Sequence, residues 1–412
     1  MKPKLEFRVE IDGQGRLILP PEVVTNYGLK AGAKVCVEGR GNGLSLQQPV
    51  AQLAKVYVEP TNRCNLECRT CMRRFWEEPL GEMSSSTFAR IIEELRVFFP
   101  APKVFFGGIG EPLAHRNIVE MVGQAKTLGG AVELITNGTL LTLEMSRRLL
   151  NAGLDMLWVS LDGATPESYA DVRLGAALPE VLTNMAAFRD LRQTEYTQRA
   201  QIGIVFVAMK RNIRDLPDLF KLSRQLGVKR FLVSNVLPYA PEMREEILYA
   251  RAVMDFAYGP YLKLPIIDLN EATREFLYQA LRSGQAVAFT GSPSGEIVNR
   301  CPFIETSSTA INWEGNLSPC LPLMHSHVSF LDNFRRFSRC YVVGNVNERN
   351  LRELWNAPDY IAFRERVQIF DFSPCVLCGG CYLAEGNEED CFGNTFPTCG
   401  GCLWARGVIQ CP

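Results

Sequence analysis

Three cysteines, Cys64, Cys68 and Cys71, follow an apolar stretch, Lys55–Glu59, at the spacing C-x3-C-x2-C. A loop there can wrap three thiolates around a four-iron cubane. Three protein ligands for four irons leave one iron open, and an open iron can chelate a substrate. A fully protein-ligated electron-transfer centre would need a fourth cysteine nearby, and the next one is Cys301.

The 412-residue chain holds 14 Cys, at positions 36, 64, 68, 71, 301, 320, 340, 375, 378, 381, 391, 399, 402 and 411. A disulfide framework suits short secreted chains, whereas the start, Met1–Glu6, lacks the apolar stretch of a signal peptide. No apolar run is long enough to span a bilayer, so the expectation is a cytoplasmic protein without a membrane partner. Only three His are present, which disfavours zinc with imidazole ligands. All-thiolate ligation suits iron–sulfur clusters or four-Cys zinc, and the clustering favours iron–sulfur for most of these residues. Lys+Arg 44 against Asp+Glu 45 gives a net charge of -1, which rules out a whole-chain electrostatic grip on nucleic acid.

Strand candidates alternate with helices from about 50 to 240: Lys55–Glu59, Lys103–Phe106, Val132–Thr136, Met156–Ser160, Gln201–Val207 and Arg230–Asn235. Helices are expected at Ser84–Phe99, 116–128, 142–152, 179–193 and 213–226, with Ser84 to Ser86 offering the first N-cap. Six β/α units in succession imply a parallel sheet, open or closed into a barrel, with ligands at its C-terminal edge. Those edges carry Phe106-Gly107-Gly108-Ile109-Gly110-Glu111-Pro112, Thr136-Asn137-Gly138 and Ser160-Leu161-Asp162-Gly163. Glycines there let backbone carbonyls approach a ligand closely.

The cysteine loop after the first strand resembles the signature of the radical S-adenosylmethionine (SAM) superfamily, which implies an α/β fold with a partial (β/α)6 barrel. The resemblance implies a SAM-binding 4Fe-4S cluster on Cys64, Cys68 and Cys71, and reductive cleavage of SAM to a 5′-deoxyadenosyl radical. It assigns Gly107, Gly108 and Glu111 to the methionine ammonium, and Thr136, Asn137, Ser160 and Asp162 to the ribose and carboxylate ends. Arg173 would pair with the carboxylate, and Val205 and Asn235 would line the adenine side. The usually aromatic position before the third cysteine is Thr70, which offers no ring to stack on adenine. No catalytic base is identified.

Residues 301–412 are rich in Cys, Gly and Pro and too irregular to bury much apolar surface, so metal or cross-links must hold them. The order Cys301, Gly315-x4-Cys320, then Cys375-x2-Cys378, resembles a SPASM auxiliary-cluster domain. That implies two further 4Fe-4S clusters drawn from Cys301, Cys320, Cys375, Cys378, Cys381, Cys391, Cys399, Cys402 and Cys411. The spacing after Cys378 departs from the family's, and the pairing stays open. Cys340 is set aside because Tyr341-Val342-Val343 reads as a strand, and Cys36 as a small core residue. Glu385 to Asp390 reads as a solvated loop. Residues 241–300 read as a mostly helical bridge.

Residues 1–49 read as strand, Gly-Arg region, Leu-Ile-Leu-Pro, short helix from Pro21 to Tyr27, and two strands, Lys34–Glu38 and Leu44–Gln48. They resemble an AbrB-like swapped-hairpin domain, which implies a homodimer. The charge balance here, Lys+Arg 7 and Asp+Glu 5 over residues 1–50, favours dimerisation or protein docking over DNA. The whole architecture resembles the radical SAM maturases of tungsten-cofactor oxidoreductases. Its implied partners are a tungsten-dependent aldehyde:ferredoxin oxidoreductase or its cofactor or peptide, and an electron donor such as ferredoxin or flavodoxin. Modification of a ribosomal peptide, by thioether or carbon–carbon crosslinks, is the alternative within this class. An iron–sulfur redox-sensing DNA-binding regulator is the alternative outside it.

Overall fold

The computed structural model describes residues 9–27, 29, 35, 37–40, 43–46, 49–195, 200–249, 267, 270–282, 286–289, 299–331, 334–375 and 381–412. The front comprises β1 (Glu10–Ile11), β2 (Leu17–Ile18), α1 (Pro21–Asn26), β3 (Val37–Arg40) and β4 (Gly43–Leu46). It forms two separate antiparallel ribbons, β1 with β2 and β3 with β4.

The central region follows in alternation: β5 (Lys55–Val58), α2 (Ser85–Leu95), β6 (Lys103–Phe106), α3 (Ile118–Lys126), β7 (Val132–Thr136), α4 (Leu143–Asn151) and β8 (Met156–Ser160). Then come α5 (Pro166–Val172), α6 (Leu178–Thr194), β9 (Gln201–Ala208), α7 (Leu216–Gln225), β10 (Arg230–Asn235), α8 (Glu271–Arg282) and β11 (Ala286–Phe289). The expected parallel sheet is present: β5 to β11 pair in sequence order, every pair parallel. Helices cover these strands, so their residues are apolar on both faces. One row across the sheet, Val58–Phe106–Leu134–Leu157–Ile202, is fully buried. Parallel register brings every strand's C-terminal end to one edge.

Caps set the helix starts: Ser84 Oγ accepts from Thr87 N at 3.0 Å, and Thr142 Oγ1 from Met145 N at 3.1 Å. Two helix expectations need correction. α2 stops at Leu95, short of the expected Phe99: the chain loosens into i→i−3 turns at Arg96 and Phe98, and Pro100 bars helix at Phe99. α5 was not anticipated, although Thr165-Pro166-x-Ser168 forms a capping box with Pro at the first helical position.

The sheet also runs past both expected segment boundaries. Residues 286–289 add the seventh parallel strand, β11, to a stretch read as helical. The tail contributes α9 (Pro302–Glu305), β12 (Ser308–Ile311), β13 (Asn316–Ser318), β14 (His327–Leu331), β15 (Phe334–Ser338), β16 (Gly344–Asn345), α10 (Leu351–Trp355) and α11 (Pro358–Ile369). β12 lies parallel to β5, with Thr309 opposite Val56, and β13 and β16 extend the edge antiparallel. Tyr341–Val343, read as a strand, forms none; Tyr341 N bonds to Leu323 O at 2.9 Å and Val343 N to Leu317 O at 2.8 Å.

Arg364 fastens the tail to the entry of β5. Its guanidinium lies 3.8 Å from the Trp355 ring and 4.1 Å from the Tyr360 ring, and donates to Val50 O at 3.1 Å and Trp355 O at 2.7 Å. Trp355 Nε1 donates to Ala51 O at 2.9 Å. Among the described residues no helix is long and apolar enough to cross a membrane. Trp355→Ala should lower stability by about 3–5 kcal/mol, as expected for removing a fully buried aromatic. Trp355→Phe, losing mainly the indole bond, should cost about 1 kcal/mol. Denaturant midpoints of the two variants check the ranking.

Candidate active site

The cysteine loop is clasped before it turns. Thr61 Oγ1 donates to Gly81 O at 2.7 Å; Asn62 Nδ2 donates to Pro79 O and Asn62 Oδ1 accepts from Gly81 N, both at 2.8 Å. The glycine-rich loop after β6 then packs beneath it. Glu111 N donates to Arg63 O at 2.8 Å, and any side chain at Gly110 would run into the Thr61 and Arg63 carbonyls. Between the two loops opens a cavity of about 760 Å³.

Cys64, Cys68 and Cys71 all line this cavity, with Thr70 and Met72 from the same loop. Burial pushes the Cys71 thiol up to about 11 and raises that of Cys64. Neutral thiols in such surroundings give up their protons to a bound cation, so metal binding and deprotonation are one event. Donors already point at the sulfurs: Leu66 N at 3.4 Å and Asn137 Nδ2 at 3.8 Å from Cys64, and Arg173 Nη1 at 3.8 Å from Cys68.

Gly108, Glu111, Thr136, Asn137 and Ser160, from the ends of β6, β7 and β8, line the same cavity with Arg173 from the C-terminal end of α5. Glu111 is buried and holds neighbouring ends together: Oε1 accepts from Thr136 Oγ1 at 2.7 Å and Leu113 N at 2.9 Å, and Oε2 from Asn137 N at 2.7 Å. Burial raises its pKa, against the pull of those three donors.

Gly107, Asp162, Val205 and Asn235 lie outside the cavity lining. Gly107 is required by packing, since a side chain there would meet Phe105 and Ile135. Asp162 is fully buried and grips Arg173 Nε at 2.7 Å and Nη2 at 2.6 Å, while its Oδ1 accepts from Val207 N at 2.7 Å. Burial opposes the Arg173 charge, but Asp162 and Cys68 outweigh it and fix the guanidinium protonated. Asn235 Nδ2 donates to Val408 O at 3.0 Å, tying the end of β10 to the tail.

Sequence reasoning missed Tyr239 and Ile109, which line the cavity, and the triad Glu59–His325–Glu78. His325 is buried, with Nε2 2.9 Å from Glu59 Oε2 and Nδ1 2.6 Å from Glu78 Oε2. Burial would lower the imidazole pKa, but the two carboxylates raise it to about 10. Glu59 Oε1 also accepts from Ile109 N at 2.9 Å and fills the space beside Gly108. The tail histidine thereby positions the glycine loop. Glu59, the residue after β5 at the ligand-bearing edge, was the available signal.

The tail thiols gather at two places. Cys301, Cys320, Cys399 and Cys402 line a largely apolar cavity of about 880 Å³. Cys375, Cys381 and Cys391 line another of about 640 Å³; Cys378 and Cys36 lie outside the described residues. Burial pushes Cys301 up to about 12 and raises Cys320, Cys399, Cys402 and Cys375. Among the described residues no three metal-ligating side chains converge on a single-ion point; the thiols ring cavities, a spread that suits a multi-iron cluster. Cys411 belongs to neither lining and accepts from Trp404 Nε1 at 3.3 Å. The acidic loop is partly structural: Asp390 is buried and accepts from Ser373, Phe392 and Asn394 backbone N–H groups.

Residues 58–234 match the Radical SAM superfamily, and residues 301–382 match SPASM, an iron–sulfur cluster-binding domain. The chain is 31% identical over 363 residues, 87% of its length and 96% of the relative's, to a tungsten-containing aldehyde ferredoxin oxidoreductase cofactor-modifying protein of Pyrococcus furiosus. It is 31% identical over 356 residues to the PqqA peptide cyclase of Gluconobacter oxydans, covering 83% of this chain and 89% of that one. Its fold resembles Streptococcus suis SuiB bound to S-adenosylmethionine, with TM-score 0.55 and 16% identity, covering 81% of this chain and 74% of that one.

His325→Gln should lower the melting temperature most at neutral and acid pH. A raised histidine pKa stabilises fully below the unfolded value near 6.5, and the gain is lost as pH rises toward 10. The gap between wild type and variant, followed by calorimetry, should therefore shrink across that window; a constant gap contradicts the clamp. Gly110→Ala should force the two loops apart and reduce iron retained by Cys64, Cys68 and Cys71, measured in a chain whose tail cysteines are replaced.

Proposed function

The chain belongs to the radical SAM superfamily, is an enzyme with iron–sulfur and SAM cofactors and carries the SPASM extension, and from that premise we propose that it is a maturase. Its target on this reading is a tungsten-dependent oxidoreductase, that enzyme's cofactor, or an associated peptide. The observation that carries the chemistry is one cavity lined at once by three thiols and by polar groups from three strand ends and the end of α5. Full-length similarity to the Pyrococcus furiosus cofactor-modifying protein supports the target class.

When bound, the cluster and SAM supply one-electron cleavage of the sulfonium to methionine and a 5′-deoxyadenosyl radical. Cys64, Cys68 and Cys71 would hold the cluster, three thiol ligands facing the cavity. Glu111 locks the ends of β6 and β7, so that Thr136 and Asn137 present their polar groups from a rigid rim. Asp162 orients Arg173, whose charge offsets the thiolates and suits a carboxylate. The four thiols of the 880 Å³ cavity would hold one auxiliary cluster, and Cys375, Cys381 and Cys391 would contribute to the other, with Cys411 outside both linings. An electron donor such as ferredoxin or flavodoxin serves the clusters, in a reducing cytoplasm.

Peptide modification is the second reading, favoured by similarity to the PqqA peptide cyclase. The front supports a homodimer: Ile11, Ile18, Val37 and Leu44 are 71%, 54%, 52% and 77% exposed, and a second copy would cover them.

Reconstituted anaerobically, the chain should carry about 12 irons in three four-iron clusters. With reductant it should form 5′-deoxyadenosine, and Cys64→Ala should abolish that product; retained turnover contradicts the assignment. Deleting residues 1–49 should turn a dimer into a monomer by light scattering.

A further inference from the structure

The two tail cages share a wall, and a positive charge stands in it. Arg336 lies on β15, where its neighbours Arg335 and Phe337 are exposed and Arg336 itself is half-buried. Its side chain lines the cavity of Cys301, Cys320, Cys399 and Cys402. Its Nη1 donates to Ala384 O at 2.7 Å, and Ala384 lines the cavity of Cys375, Cys381 and Cys391. The thiols that would act on its charge once ionised come from both groups: Cys375, Cys402 and Cys399.

The glycines of Cys399-Gly400-Gly401-Cys402 fit this arrangement. A side chain at Gly401 would run into the Arg336 guanidinium, and one at Gly400 into Ser373 O, beside Cys375. The bare backbone lets the guanidinium and the two thiol groups approach one another. No ion pair with a carboxylate is formed by Arg336 among the described residues. A cation turned into an apolar cavity without a counter-ion is unfavourable unless negative charge arrives there. Thiolate-ligated clusters bring that charge, and reduction increases it.

We propose that Arg336 is a shared electrostatic positioning residue of the two auxiliary cages, favouring the reduced state of both clusters and raising both reduction potentials. This rests on the reading that each cage holds a four-iron cluster. Net charge near a cluster is one of the levers that set its potential, and at low local dielectric a single charge acts strongly. Arg406 is a second cation in the same wall, donating to Gly400 O at 3.3 Å and near enough to Cys402 and Cys375 to act on them once ionised.

The test is an EPR-monitored redox titration of the full chain carrying Cys64→Ala, Cys68→Ala and Cys71→Ala, so that only tail centres report, with iron analysis alongside. Arg336→Gln should keep its iron and shift both centres to more negative potential by at least a tenfold change in the reduction equilibrium, about 59 mV for one electron. Arg336→Lys, which keeps the charge, should stay close to the parent. Should Arg336→Gln lose iron, Gly401→Ala replaces it, pushing the guanidinium away while leaving it in the chain, and the same negative shift is expected. Unchanged potentials with iron retained overturn the proposal. Equal loss of iron in the Gln and Lys variants overturns it in favour of a purely structural role. A parent protein without iron in the tail removes the cage reading, and the proposal with it.

Discussion

Everything at the candidate site depends on the close backbone contact between the cysteine loop and the glycine loop. Gly110 sits against the carbonyls of Thr61 and Arg63, and Glu111 N bonds to Arg63 O. With no Cβ in the way, the two loops form one rim. Glu111 then carries the constraint sideways to Thr136 and Asn137, so the thiol-bearing loop and the next strand ends move as one body. A site that must hold a cluster and a nucleoside in register needs this kind of over-determination.

The tail is part of the same construction. β12 lengthens the sheet beside β5, Arg364 and Trp355 fasten α10 and α11 to residues 50 and 51, and His325 reaches Glu59 at the ligand-bearing edge. A buried imidazolium between two carboxylates is weak evidence for net stability, because desolvation offsets much of the attraction. Its value lies in geometry. It is satisfied in one arrangement, which places the tail against the glycine loop that lines the cysteine cavity.

Much of this was legible in the residues. Apolar runs flanked by capped helices gave four of the six barrel strands to the residue, because strands buried on both faces leave an unambiguous signal. The cysteine loop and the Gly108, Glu111, Thr136, Asn137, Ser160 and Arg173 positions also converge on one cavity. The misses share a cause. β11, β12 and the His325 triad are non-local: β12 is recognisable only once β5 offers it an edge, and His325 pairs with a glutamate 266 positions away. Asp162 was legible as a strand-end polar residue, but whether it faces the cavity or turns back to hold Arg173 depends on packing. The gathering of the tail thiols was hidden because one cavity draws on both ends of the segment, Cys301 and Cys320 with Cys399 and Cys402.

The central claim is that the cluster held by Cys64, Cys68 and Cys71 keeps one iron for SAM. Electron–nuclear double resonance tests it most directly, on the reduced chain with all tail cysteines replaced and SAM labelled with nitrogen-15 and oxygen-17 in its methionine part. Hyperfine coupling of the cluster spin to the amino nitrogen and carboxylate oxygen is the expected result. A reduced four-iron signal with no coupling to either label would contradict it.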